Sequence, residues 1–355
     1  MAERTHRIAL IPGDGIGKEV VPAAQEVLEA AGASAGAGFE WTAFDWSCER
    51  YSATGSMTGG ADVSQLRDFD GIFLGAVGYP GVADHISLWG LLIPIRRQFG
   101  QYVNLRPVRL LPGVRTPLAD RGPEDIDFVI VRENNEGEYS EIGGRLYEGT
   151  DAELAVQQAV FTREGVDRVL RYAFELARSR PDRHLTSATK SNGIIHTMPF
   201  WDERFEAMAA AYPDVRTDQY HIDILTAHLV QNPDWFDVIV ASNLFGDILS
   251  DLGPAVGGSI GLAPGANLNP DRNAPSMFEP VHGSAPDIAG KGVANPIAQI
   301  LTGVMMLEHL EETQAAQAIT KAVEQVLEDG AVRTGDLGGS ATTADMTAAV
   351  IAALQ

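Results

Sequence analysis

Apolar and polar positions along the chain follow two rhythms that alternate from one end to the other. Residues 7–17, R-I-A-L-I-P-G-D-G-I-G, set four apolar residues ahead of a glycine turn, the pattern of a buried strand feeding a helix start. Helical spacing takes over from Lys18 to about Ala31. A second strand is expected at G-I-F-L-G-A-V-G from Gly71, followed by a Gly/Pro loop. The segment S-L-W-G-L-L-I-P-I-R-R-Q-F has helical periodicity, with Pro94 marking its first turn or a kink. The short apolar runs 127–131 (D-F-V-I-V) and 238–241 (V-I-V-A) suit central strands, and helical patterns occupy 163–180 and 199–211 between them. The tail from Ala294 to Leu327 is helix-rich and leads to G-D-L-G-G. Strands alternating with helices predict an α/β architecture with a largely parallel sheet. There is no internal repeat, low-complexity tract or polar linker, so any two domains share a continuous chain without a flexible connection.

At 355 residues the chain is long enough for a sizeable core and two domains. A formal net charge of -22 argues against nucleic acid or an anionic membrane as a partner. One cysteine, Cys48, excludes an internal disulfide framework and fits a reducing compartment. The opening M-A-E-R-T-H-R-I-A lacks the apolar stretch of a signal peptide, and no run approaches the roughly 20 apolar residues of a membrane span. The expectation is a cytoplasmic protein.

The charge balance sharpens the search for chemistry, because an acidic protein that binds an acid must gather its few cations. Arg96, Arg97, Arg106, Arg109 and Arg132 fall in one short stretch, where they are either solvated surface groups or a carboxylate site. Gly13, Gly15 and Gly17 follow a strand but miss the G-x-G-x-x-G spacing by one residue, and no acidic residue ends a second strand nearby. A tight strand-to-helix turn is the better reading, which leaves open that it borders a ligand without cradling a pyrophosphate. The segment A-S-N-L-F-G-D-I-L-S-D-L-G-P follows a strand, with Asn243 as the expected cap and Gly253-Pro254 as the expected end of a helix. Asp247 and Asp251 are four apart and share a face of that helix. Two carboxylates with apolar neighbours and no nearby basic residue in sequence call for a cation, and hard oxygen ligands suit Mg2+ or Mn2+. Lys190, one of only four lysines, sits in T-S-A-T-K-S-N-G after an apolar strand and is a candidate base. Tyr139, in R-E-N-N-E-G-E-Y, is a candidate proton donor, although a tyrosine taken alone is more often a core residue.

These residues belong to an ordered set of motifs. I-P-G-D-G-I-G, N-L-R-P, V-R-E-N-N-E-G-E-Y, K-S-N-G, S-N-L-F-G-D-I-L-S-D and E-P-V-H-G-S-A-P-D-I-A-G-K together resemble the β-decarboxylating dehydrogenases, the isocitrate/isopropylmalate dehydrogenase family, over nearly the whole chain. Within that family D-H-I-S-L-W-G and Q-Y-V-N-L-R-P-V-R-L-L-P-G-V look most like the branch acting on tartrate and D-malate. The resemblance implies the family's two-domain α/β fold, with a large mixed, mostly parallel sheet flanked by helices, and not a Rossmann fold. It assigns 1–101 plus 258–355 to a large cofactor-binding domain and 102–257 to a small domain with the dimer interface and metal aspartates.

Position by position, the resemblance implies that Arg96, Arg106 and Arg132 clamp substrate carboxylates, a use that suits the paired N–H groups of guanidinium. Asp247 and Asp251 match metal ligands, with Asp223 as a third from the partner subunit. Lys190 matches the base, also across the interface, and Tyr139 the acid. A homodimer with shared active sites, or a larger assembly built on it, is therefore implied. His282, Gly283, Ser284, Ala285, Asp287 and Asn295 match the nucleotide site, and Asp287 favours NAD because a carboxylate there repels a 2′-phosphate. A monovalent cation such as K+ is a further candidate cofactor. Trp89 stands where isopropylmalate enzymes have smaller residues, so its indole is expected to fill the isopropyl space and leave room for C4 acids. The implied activity is NAD- and divalent-metal-dependent oxidation and oxidative decarboxylation of a C4 2-hydroxy dicarboxylate, D-malate giving pyruvate and CO2. A 3-isopropylmalate dehydrogenase is the alternative within the family, and a Mg2+-dependent non-redox lyase the alternative outside it.

Overall fold

The computed structural model describes residues 4–354. Its first strand, β1 (Arg4–Gly13), shows how the core is organised. Successive side chains of a strand point to opposite faces. Ile8 and Leu10 therefore enter the larger core with Val21, Val27 and Leu28, while Ala9 and Ile11 pack on the other face with Trp46, Leu74 and Leu91. A strand buried on both faces reads as a continuous apolar run, which is why I-A-L-I was legible.

The remaining strands are β2 (Ala37–Ala43), β3 (Gly71–Ala76), β4 (Val103–Arg109), β5 (Asp127–Glu133), β6 (Gly143–Leu146), β7 (Leu154–Gln157), β8 (His184–Thr189), β9 (Arg216–His221), β10 (Val238–Ala241), β11 (Ala266–Leu268) and β12 (Ser276–Phe278). Ten of them form one sheet in the order β2-β1-β3-β12-β11-β4-β5-β10-β8-β9. Six of its nine pairings are parallel, and the three antiparallel ones, β12-β11, β11-β4 and β4-β5, sit together at its centre. β6 and β7 stand apart as an exposed antiparallel pair. The predicted mixed, mostly parallel α/β sheet is thus the observed one.

The helices are α1 (Gly17–Ala35), α2 (Cys48–Thr54), α3 (Asp84–Ser87), α4 (Ile93–Gln98), α5 (Arg163–Ser179), α6 (Thr197–Ala209), α7 (Ile222–Gln231), α8 (Asn243–Val256), α9 (Ile297–His309), α10 (Thr313–Asp329) and α11 (Thr343–Ala353). α1 buries Val20, Val21, Ala24, Val27, Leu28 and Ala31, one helical stripe against the sheet, and ends at Gly36 in the left-handed conformation. Between α3 and α4 the chain makes a π turn, Leu88–Leu92, so the expected kink precedes Pro94.

Helix α8 departs from the sequence expectation at both ends. Ser242, not Asn243, caps it by accepting from the Phe245 N–H, because Asn243 is turned inward to a buried partner. Gly253-Pro254 does not end the helix, which continues to Val256. A Cβ on Gly253 would meet Val108 Cγ2 at 2.5 Å, so this glycine serves close packing on β4, and Pro254 stands inside the last turn, where its lack of an N–H leaves out one helical hydrogen bond. The strands β6, β7, β11 and β12 and the helix α11 had no clear signal in the sequence. The first four are three or four residues long, too short to show a period.

His309, in the last turn of α9, packs 5.5 Å from the Phe278 ring. Burial, with Arg272 adding repulsion, pushes its pKa down from 6.5 to about 4, so the native state holds it neutral. Its contribution to stability is complete above pH 6.5 and is lost as the pH falls toward 4. The melting temperature of the wild type should therefore fall more steeply than that of His309→Phe across that window; parallel curves would rule the linkage out.

Candidate active site

Strands carry the first part of the site. Asn104 and Arg106 are two apart on β4 and share a face, and Arg132 lies beside them on β5, where Asn104 is its register partner. Arg96 arrives from α4. All three arginines are buried in one cleft of about 660 Å3, its open mouth included, lined also by Leu88, Leu92, Tyr139, Asp247, Glu279 and His282. Arg97 and Arg109 take no part in it. They pair with Glu141 and with Glu324 at the surface.

Glu279 is the counter-charge. Its Oε1 lies 2.5 Å from Arg96 Nη2 and 3.6 Å from Arg106 Nη2, and it accepts from Asn267 Nδ2 at 3.0 Å. Burial pushes this carboxyl up, but Arg96 and Arg106 outweigh it and hold the group below the usual range. The same burial lowers the Arg106 pKa to about 10 against the pull of Glu279. Buried amides complete the network: Arg106 Nε donates to Asn104 Oδ1 at 2.7 Å, and Asn267 Oδ1 accepts from both Asn104 and Asn134.

The N-terminal half of α8 supplies the acidic wall. A Cβ on Gly246 would meet the Arg132 side chain at 2.5 Å, so the helix lies directly on the arginine stem. Arg132 donates through Nε and Nη2 to Asn243 Oδ1 at 3.0 and 2.7 Å, and through Nη1 to Asp247 Oδ1. The other oxygen of Asp247 accepts from the Tyr139 hydroxyl at 2.5 Å. Burial first, and then Asp247, push the Tyr139 pKa up to about 12, so it is protonated at neutral pH. Asp251, one turn on and exposed at its tip, is also pushed up, by desolvation and then by the Asp247 charge. The cation missing from the local sequence is thus partly supplied by Arg132, from a remote strand.

Lys190 and Asp223 form a separate pair. Lys190 follows β8, Asp223 opens α7, and Nζ lies 2.8 Å from Oδ1. Lys190 holds the Asp223 carboxyl below its ordinary range. Neither residue lines the cleft with the arginines. Among the described residues no three His, Cys, Asp or Glu side chains gather into a possible metal site, so one chain does not unite Asp223 with Asp247 and Asp251.

His282 and Gly283 line another side of the cleft, and the segment 284–295 continues from them. His282 is buried, its Nδ1 3.0 Å from the Gly283 carbonyl, and burial lowers its pKa toward the neutral ring. Ser284 is buried, and its carbonyl accepts from Ile16 N at 2.8 Å, so the glycine turn after β1 borders this loop. Ala285 is in the left-handed region at φ 42°, Gly283 opens on free space, and Asp287 is exposed. Glu19 of α1 ties down the following stretch by accepting from the Gly290 and Gly292 N–H groups. Asn295 is buried and accepts from Ile297 N at the start of α9. Trp89 is not among the cleft-lining residues; its ring packs on Arg97, 5.1 Å away, and Leu88 and Leu92 face the cleft instead.

The sequence pattern gave no role to Glu279, Asn104 or Asn267, and gave Asn243 only that of a helix cap. Asn104 was signalled by its two-residue spacing from Arg106; Glu279 was signalled only as a lone acid in an apolar M-F-E-P-V run. Glu279→Gln would leave two buried guanidinium groups without their carboxylate, and breaking such a pair costs about 3–5 kcal/mol. Urea unfolding should show that loss, and a change under about 1 kcal/mol would remove Glu279 from this role.

The profile of the isocitrate/isopropylmalate dehydrogenase family matches residues 7–350. The D-malate dehydrogenase [decarboxylating] of Escherichia coli (strain K12) is 59% identical over 354 residues, 98% of each chain. The tartrate dehydrogenase/decarboxylase of Pseudomonas putida is 56% identical over 358 residues, covering 99% of this chain and 98% of that one. The crystal structure of isocitrate dehydrogenase from Methylococcus capsulatus superposes with a TM-score of 0.88 at 37% identity, over 98% of this chain and 99% of that one. With this fold and these relatives, the chain belongs to the isocitrate/isopropylmalate dehydrogenase family and is a dehydrogenase of its decarboxylating class.

Proposed function

We propose that the protein catalyses the NAD- and divalent-metal-dependent oxidation and oxidative decarboxylation of a C4 2-hydroxy dicarboxylate, D-malate or tartrate, and converts D-malate to pyruvate and CO2. The observation that carries this reading is the convergence of three buried guanidinium groups on a cleft with an acidic helix on one wall. Arg96, Arg106 and Arg132 stand against Glu279, Asp247 and Asp251, a formal balance of charge. A dicarboxylate adds two negative charges, and a divalent cation restores the balance. Asp247 and Asp251, hard oxygen donors one helical turn apart, fit Mg2+ or Mn2+. The oxygen donors of Asp223 complete the set from a second copy of the chain.

Exposed apolar residues support that second copy. Ile194 and Ile195 follow Lys190, Ile224 adjoins Asp223, Ile248 adjoins Asp247, and the β6-β7 pair exposes Leu146, Leu154 and Val156. Apolar surface of this kind marks an interface. In the proposed dimer the 102–257 region carries the interface, and each cleft receives Lys190 and Asp223 from the partner. NAD is held by His282, Gly283, Ser284, Ala285 and Asn295, with Asp287 exposed on the loop where it disfavours a 2′-phosphate. Buried Cys48, its thiol pushed up to about 12 by burial, suits a reducing cytoplasm.

The arginines hold the two carboxylates and orient the C2–H bond. Lys190 takes the hydroxyl proton as the hydride leaves C2, which gives a β-keto acid. The C3–C4 bond then breaks, its electron pair enters the enolate, and Tyr139 donates its hydroxyl proton to C3. When bound, the nicotinamide accepts the hydride and the divalent metal supplies positive charge to the substrate oxygens.

NADH formation measured with D-malate, both tartrates, 3-isopropylmalate and isocitrate should be fastest with a C4 acid, and faster with NAD than NADP. A faster rate with either larger acid overturns the substrate, and no NADH from any of them overturns the redox reading. Mixing Lys190→Ala with Arg106→Ala protomers should restore about a quarter to a half of wild-type activity, since one cleft of each mixed dimer is intact. Mixed dimers that form without activity would sink the shared site.

A further inference from the structure

The two adjacent arginines of I-R-R-Q serve different sides of the cleft wall. Arg96 turns inward to Glu279, whereas Arg97 turns to the rim. There its Nη2 donates to the backbone carbonyl of Tyr139 at 3.0 Å and its Nη1 to Glu141 Oε2 at 2.9 Å. The Trp89 ring covers the same guanidinium at 5.1 Å. Trp89 lies in the π turn Leu88–Leu92, and π turns recur at functional sites. The indole fixes the plane of the guanidinium, and the fixed plane points its two N–H edges at two acceptors two residues apart. An ammonium group has no such fork.

We propose that Arg97, backed by Trp89, is a positioning residue for Tyr139: it holds the tyrosine main chain from the α4 side so that the hydroxyl stays directed into the cleft. The segment is already held from the α8 side, where Glu138 accepts from Ser242 Oγ at 2.8 Å and from Leu244 N at 3.0 Å. Tyr139 is suspended between these anchors with its hydroxyl on Asp247. Arg97 and Glu141 are 34% and 70% exposed, and an ion pair that open contributes little to stability. Placement of the tyrosine is what the arrangement supplies. This inference rests on the reading of Tyr139 as the proton donor.

The test is a double-variant cycle on the C4 acid that the wild type oxidises fastest, with NAD and Mn2+. Arg97→Met should lower kcat about five- to tenfold, the scale set by a small misplacement of a catalytic group, with KM and melting temperature close to wild type. Arg97→Lys, which keeps one donor, should recover part of the loss, and Trp89→Leu should fall between wild type and Arg97→Met. Because Arg97 acts only through Tyr139, Arg97→Met/Tyr139→Phe should be no slower than Tyr139→Phe alone. Wild-type kcat in Arg97→Met, a raised KM with kcat intact, or losses that multiply in the double variant would overturn the positioning role. A fully active Tyr139→Phe would instead overturn the reading of the tyrosine. A slow Tyr139→Phe beside an unimpaired Arg97→Met sinks only the inference. If Arg97→Met does not fold, Arg97→Lys and Trp89→Leu carry the same cycle.

Discussion

Arg96, Arg106 and Arg132 have side chains no more than 8% exposed within one cleft, and guanidinium groups in that setting repel strongly because little water screens them. Their compensation sets the construction of the whole centre. Glu279 lies just past β12 and is shared by Arg96 and Arg106; Asp247 lies on α8 and pairs with Arg132. Both carboxylates come from segments more than 100 positions away along the chain. The antiparallel centre of the sheet brings them together, with β11 and β12 running beside β4 and β5. Buried asparagines take up further donors of Arg106 and Arg132, so the charged layer is hydrogen-bonded as well as paired.

That balance also bears on chemistry. In the proposed reaction, a centre whose three arginines stand against three carboxylates takes up a dianion together with a dication, and Asp247 and Asp251 would supply the oxygen donors that such an ion prefers. Asp247 meanwhile accepts from Arg132 and Tyr139, so one carboxylate links the arginine layer to the proposed proton donor. The fit depends on Gly246, since any side chain there would lift α8 off Arg132. Lys190 and Asp223 stand outside this layer, paired with each other beside exposed isoleucines. Their position accords with the proposed centre completed by a second chain.

Much of the architecture could be read from the chain because its strongest signals are local. Apolar runs at β1, β3, β5 and β10 and helical stripes at α1, α5 and α6 each fix their own element, since burial on one face or two imposes a period of 3.6 or 2. The i,i+4 spacing of Asp247 and Asp251 and the i,i+2 spacing of Asn104 and Arg106 likewise state that these pairs share a face. The ordered motifs established the family from the sequence.

Partnership across the fold was not legible. That Arg96 faces Glu279 while Arg97 faces Tyr139 depends on how one short helix is rotated after a π turn, and two adjacent arginines carry no mark of it. That Asn243 grips Arg132, leaving Ser242 as the cap, depends on a strand over a hundred residues away. Trp89 sits one residue from the cleft-lining Leu88, and which of the two faces inward is a matter of helix phase. By itself the sequence determined the longer elements, the order of the motifs and the spacing of groups within each element, because those follow from backbone geometry and local burial. Only the tertiary structure decided which charges meet, because electrostatic pairing in a buried cleft depends on distance in space and is silent along the chain.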